Sequence, residues 1–191
     1  ATYALGASDT ITALTGAGSV NLNGYTLTLG NATGTYSGVM SGTGGLTLTA
    51  GSLTLGGANT YTGATTINGG TLIQTGSLDS ATNLTMSGTA VWNLQANQTI
   101  ASLTMDSGNV ISNTAGASRL TVSGAAVIGN SITTTGSQTY NGSVTLVADT
   151  ALNTGGASTA GITMAGNLAG GSDGLTLTFN AGAGAISVSG N

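Results

Sequence analysis

Apolar and hydroxylic residues alternate along this chain with a period of two. The pattern is plainest in Tyr25-Thr26-Leu27-Thr28-Leu29, Leu46-Thr47-Leu48-Thr49 and Leu53-Thr54-Leu55. It returns in Leu84-Thr85-Met86, Leu103-Thr104-Met105, Leu120-Thr121-Val122, Val144-Thr145-Leu146, Ile162-Thr163-Met164 and Leu175-Thr176-Leu177. Period two sends alternate side chains to opposite faces of a strand. Leu46, Leu48, Leu53, Leu84, Leu103, Leu120, Ile162 and Leu175 are therefore expected inside, and the intervening threonines outside. Thr and the β-branched residues favour strands, while the Gly, Asn and Ser clusters between the runs read as turns. No window carries a helical stripe with caps. The chain is expected to be all-β.

These strands are short and too many for a simple sandwich, and a longer repeat explains them. "NLTMSGTAVWNL" (83 to 94), "SLTMDSGNVISN" (102 to 113) and "RLTVSGAAVIGN" (119 to 130) share one template. The leucine that opens it recurs at Leu84, Leu103 and Leu120, at intervals of 19 (103 − 84) and 17 (120 − 103). Internal periods of roughly 20 residues mark solenoids. Coils stacked at roughly 4.8 Å put like residues above like. The expectation is a parallel β-helix, a single continuous β-solenoid over residues 1–191. It would have about nine or ten coils of roughly 20 residues and be about 45 Å long. Its pattern weakens near residues 131–142. In that stack Thr85, Thr104, Thr121 and Thr163 would form an outward ladder, each neighbouring pair contributing about 0.2–1 kcal/mol.

Composition narrows the reading. Only 3% of the 191 residues are charged, against about a quarter in an average globular protein. Glu, Lys, His, Cys and Pro are absent; five Asp and Arg119 carry all the side-chain charge. Disorder needs low hydrophobicity or high net charge, and this chain has neither. A net charge of −4 with one basic residue argues against nucleic acid, whose phosphates call for Lys and Arg. No apolar run approaches the roughly 18 residues of a membrane helix, so no membrane insertion of this segment is expected. The start, "ATYALGASDT", lacks the basic and apolar regions of a signal peptide, so a processed product or a piece of a longer chain is expected.

The stretch "SGTGGLTLTAGSLTLGGANTYTGATTINGGTLIQTG" (41 to 76) closely resembles the autotransporter-associated β-strand repeat. The matching residues are Gly44-Gly45-Leu46-Thr47, Asn59-Thr60-Tyr61-Thr62-Gly63, Thr65-Thr66-Ile67 and Gly69-Gly70-Thr71-Leu72. "TYNGSVTLVADTAL" (139 to 152) and "GLTLTFNAGAGAISVSG" (174 to 190) look like repeats of large filamentous-haemagglutinin-type adhesins. It is the resemblance that implies the right hand of the β-helix, and a place on, or release from, the outer-membrane surface of a Gram-negative cell. It also implies export through an outer-membrane β-barrel.

Little chemistry is available to such a chain. Nucleophilic triads and dyads need His, Lys or Cys, and none occurs. Asp9, Asp79, Asp106, Asp149 and Asp173 lie far apart in sequence and beside Ser, Thr or Gly, as turn-capping Asp does. No catalytic residue, cofactor or metal site is expected, and no Asp-rich calcium loop is visible. Trp92 reads as core, Tyr36, Tyr61 and Tyr140 as structural corners, and Arg119 as an outward residue at a coil edge. The leading reading is a non-enzymatic extracellular scaffold of an adhesin or filament. It would adhere to a host or bacterial surface, or self-associate, or continue into further coils. A Thr-array ice-binding solenoid is the alternative, and would need two adjacent Thr ranks on nearly every coil. A polysaccharide-degrading β-helix enzyme is a third reading, disfavoured by the lack of a carboxylate cluster.

Overall fold

The computed structural model describes residues 1–190. They form 25 short parallel strands stacked into a β-solenoid with three faces. Each coil crosses the faces in the same order. The first face is a nine-stranded sheet that begins with Asp9–Ile11, Leu27–Leu29 and Leu46–Leu48. The second is eight-stranded, from Ala32–Tyr36 to Leu177–Asn180. The third divides into a three-stranded sheet (Thr2–Ala4, Ser19–Asn21, Met40–Ser41) and a five-stranded one from Gln98–Ile100 to Ile186–Val188.

Leu27, Leu46, Thr65, Leu84 and Leu103 occupy one column of the first face, at a constant sequence interval of 19 (46 − 27). Later steps widen. Leu103 stacks on Ala126 (126 − 103 = 23) and Val144 on Leu168 (168 − 144 = 24). Nine rungs enclose about 8 coils rather than nine or ten, because the longer corners consume residues that the period of 20 assigned to further turns. Residues 131–142 continue the stack: Ile132 pairs with Ile111 and Gln138 with Leu120.

The interior is a narrow column, mostly apolar. Leu46, Leu48, Leu53, Leu84, Leu103, Leu120 and Ile162 are fully or almost fully buried, each gaining about 1.5–3 kcal/mol from burial. Leu175 departs from the expectation of a core position. It is half-buried and precedes the strand Leu177–Asn180, in the last part of the stack, where a neighbouring coil lies on one side only. Trp92 is fully buried.

Close stacking also fixes some backbone conformations. Gly51 and Gly70 lie one coil apart with φ of +83° and +74°. A Cβ on Gly70 would stand 2.3 Å from the Gly51 carbonyl oxygen. Glycine alone satisfies both demands, positive φ and close backbone approach.

The gap in the third face is closed by side chains. One column runs Val20, Met40, Asn59, Leu78, Gln98, Leu120, Gln138, Ile162 and Ile186. Between Met40 and Gln98 the strand ladder is interrupted, and buried amides take over. The Met40 N–H donates to Asn59 Oδ1 at 3.0 Å, and the Asn59 amide donates to the carbonyls of Gly57 and Ser77. A side-chain amide offers the donor and acceptor of a peptide group, so it can stand in for a missing strand.

Candidate functional site

With the interior closed and mostly apolar, the side chains able to meet a partner stand on the outer faces. On the first face Thr10, Thr28, Thr47, Thr66, Thr85 and Thr104 stack in register, one per coil. The ladder breaks at Val127, resumes at Thr145 and gives way to Ala169. Thr28, Thr47, Thr66, Thr85 and Thr104 each stand between two buried positions, so their side chains project from the outer side of the pleat; Thr10, in the first rung, lies between exposed Asp9 and part-buried Ile11.

Thr121 and Thr163 do not belong to that ladder. They stand on the third face in a second one, Thr99, Thr121, Thr139 and Thr163, continued by Ser187. The third copy of the template thus lies on a different face from the one its sequence likeness suggests. Ala126–Ile128, not Leu120–Val122, stacks on Ser102–Met105. The corner 113–119 delivers the Leu-Thr-Val run to the third face, and the first-face strand follows it.

Beside the six-threonine ladder the positions two residues before run Ser8, Thr26, Gly45, Ala64, Asn83 and Ser102, and the positions two residues after run Thr12, Gly30, Thr49, Asn68, Ser87 and Asp106. A second continuous threonine rank is therefore missing from this face. Small polar cross-links occupy its margins: Ser102 Oγ lies 2.6 Å from Asn83 Oδ1 and Ser87 Oγ 3.0 Å from Asn68 Oδ1. The face is hydroxylic, with Asp9 and Asp106 as the acidic residues in or beside its strands.

The carboxylates act locally or between coils. Asp79 Oδ1 accepts the Ala81 N–H at 2.8 Å, closing a turn. Asp149 Oδ1 instead accepts the N–H of Thr176, one coil on, at 2.9 Å, and hydrogen bonds from Thr176 hold its carboxyl below the usual range. Among the described residues no three acidic side chains gather where a metal ion could sit. Tyr36 donates to the Gly18 carbonyl at 2.6 Å, Tyr61 shares a 2.6 Å bond with Thr65, and Tyr140 donates to Gln138 Oε1 at 3.0 Å. Burial pushes the Tyr61 and Tyr140 phenols well above their ordinary range. All three tyrosines are buried.

Sequence reasoning missed Asn59, Gln98 and Gln138 as structural amides. The available signal was an amide in the place of an apolar residue about one coil from the next, visible only once the coils are aligned.

Such a molecule, a parallel β-solenoid with a mostly apolar interior and hydroxylic outer ladders, belongs structurally with the solenoid repeat proteins. Residues 50–73 match the family model of the passenger-associated-transport-repeat, the kind of repeat found in autotransporter passengers. The match covers one full turn, from the corner before Gly51–Leu55 into the strand Thr71–Gln74 stacked on it. It lies inside the stretch whose resemblance to such repeats is legible in the sequence. No curated protein and no solved structure matches the chain. The repeat points to an autotransporter passenger β-helix, and with it to a secreted or surface-exposed location.

Proposed function

We propose that this chain is a segment of a non-enzymatic β-helical passenger on a Gram-negative cell surface, or released from it. It projects length and presents a hydroxylic face for adhesion, self-association or matrix building. The observation that carries the reading is the Thr10–Thr104 ladder, six hydroxyls in register, on a stack that includes the passenger repeat. A face almost free of charge meets little electrostatic repulsion when a second copy approaches. Registered hydroxyls offer that copy the same donors and acceptors at every coil. Apolar residues of the outermost strands support association or continuation along the axis as well: Tyr3 is 50% and Ile186 49% exposed. Ile186 stands in line with the buried Ile162, where one further coil would cover it.

Sedimentation of the 191-residue chain at rising concentration tests this, beside a Thr47→Asp/Thr66→Asp variant with charge on the ladder. Concentration-dependent association, weakened in the variant, is expected. A discrete monomer at all concentrations, or association indifferent to the two aspartates, would rule out the ladder as the associating face.

A further inference from the structure

The corner between the second and third faces changes length from coil to coil. It runs through residues 95–97, 113–119, 134–137, 154–161 and 181–185 in successive coils. Two long corners thus bracket the short one at 134–137, leaving a cleft of about 360 Å³ above it. Thr135 and Gly136 form the floor, Ser118 and Arg119 one wall, Thr159 the other, and Asn97 extends the rim beyond Arg119.

Arg119 is the only basic side chain in the sequence, and it is exposed. Among the described residues its guanidinium has no hydrogen-bond or carboxylate partner. No Asp lines the cleft. The arginine stem lies against Gly136, where a Cβ would stand 2.6 Å from Arg119 Cγ and 3.3 Å from Nε. The missing side chain at 136 is what lets the guanidinium lie along the floor. That floor is held in place: the Ser118 N–H donates to Thr135 Oγ1 at 2.7 Å, and the Gly136 N–H to the Ser118 carbonyl at 2.7 Å. The side chains of Asn97 and Thr159 have no partner among the described residues.

We propose that this cleft binds a carboxylate carried on a hydroxylated ring, a uronic-acid-type sugar. A guanidinium presents a planar fork that pairs two N–H groups with one carboxylate. One cation, with no second basic group and no helix N-terminus nearby, matches a single negative charge better than a phosphate dianion. Asn97, Thr135 and Thr159 supply the amide and hydroxyls that ring hydroxyls require. The volume lies at the small end of ligand pockets, room for one or two rings. Because the pair is solvent-exposed the affinity is weak, with Kd on the order of 1 mM, and many displayed copies would raise it by avidity.

The chain has one arginine and no lysine, so the Arg119 Nε–H is a unique reporter in heteronuclear NMR. Titration with galacturonate should shift it to saturation, galactose should leave it unmoved, and acetate and inorganic phosphate should bind several-fold more weakly. Arg119→Gln should weaken galacturonate binding, followed by the Gly136 amide, by about threefold or more with the fold intact by circular dichroism. Gly136→Ala, which displaces the arginine stem, should weaken it in the same direction. Equal response to galactose, unchanged binding in Arg119→Gln, or acetate or phosphate binding as tightly as galacturonate would each overturn the proposal. Any of these results leaves the scaffold reading standing, since that reading is decided by sedimentation.

Discussion

Gln98 pairs with Leu78 as a strand would. Its Oε1 accepts the Leu78 N–H at 2.9 Å and its Nε2 donates to the Leu78 carbonyl at 3.0 Å. Both residues are buried, 20 positions apart, where the third face has lost its backbone ladder. Gln98→Leu would orphan a buried N–H and C=O together, at a cost of about 1–3 kcal/mol per group. Gln74 is the counter-case. Its amide is fully buried, yet neither Oε1 nor Nε2 has a partner, and its column neighbours are Leu55 and Leu94. Gln74→Leu should therefore be neutral or stabilising. Chemical denaturation of the two variants checks the pair; equal losses would show that the Gln98 bonds carry no net stability.

Inside and outside differ sharply along a single strand. Leu103 is 1% exposed, while Thr104 faces solvent on the ladder between Thr85 and Val127. Leu103→Asp buries an unpaired charge and should cost more than about 4 kcal/mol; Thr104→Asp should cost under about 1 kcal/mol. Thermal melts of both read the difference, and similar losses would contradict the alternation.

At Gly70 an alanine meets the Gly51 carbonyl oxygen at 2.3 Å and must keep a φ of +74°. The expected loss is about 1–3 kcal/mol, above the effect of an exposed Gly→Ala elsewhere. Gly6 is the control, since nothing lies within 4 Å of a Cβ there and its φ is not positive. Equal stability of the two alanine variants would mean that the stack relaxes freely at this corner.

Acid should loosen the carboxyl-terminal coil first. The folded pKa of Asp149 is depressed, chiefly by the Thr176 N–H, so its contribution is present above the unfolded pKa and lost as pH falls through the folded one. Asp149→Asn should flatten the acid limb of a stability–pH profile. At the alkaline end the sign reverses: buried Tyr61 and Tyr140 have raised pKa values. Their contribution is complete below the ordinary tyrosine pKa and disappears as pH rises through the folded values. Amide hydrogen exchange at Thr176, followed from neutral to acid pH, reports the first effect directly.

Trypsin has one site, after Arg119, and both sides of that peptide bond are tied to neighbouring coils. The Gln98 N–H donates to the Arg119 carbonyl at 2.8 Å and the Leu120 N–H to the Ser137 carbonyl at 3.1 Å. Native protein should resist dilute trypsin although the Arg119 side chain is exposed. Rapid cleavage would show that the corner opens before the coils do.

Sequence by itself determined the strands, the inside and outside of nearly all of them, and the solenoid. Period two is a property of the local backbone, so Leu-Thr-Leu at 46–48 announces its faces without reference to anything distant. Repetition at a period of roughly 20 residues then requires stacking, because one coil cannot bury its own apolar face. Which face a run occupies was decided only in three dimensions. Leu-Thr-apolar triplets sit on more than one face, so Leu120-Thr121-Val122 resembles its predecessors yet stacks on Gln98–Ile100, because the corner 113–119 lengthens the coil. The roles of Asn59 and Gln98 were equally hidden. Each amide bonds to backbone about one coil away, and a buried polar side chain is identified as a structural partner only when the group it satisfies is known. The same holds for the Arg119 cleft, which exists because two long corners flank a short one: a relation between coils, with no counterpart in any single stretch of sequence.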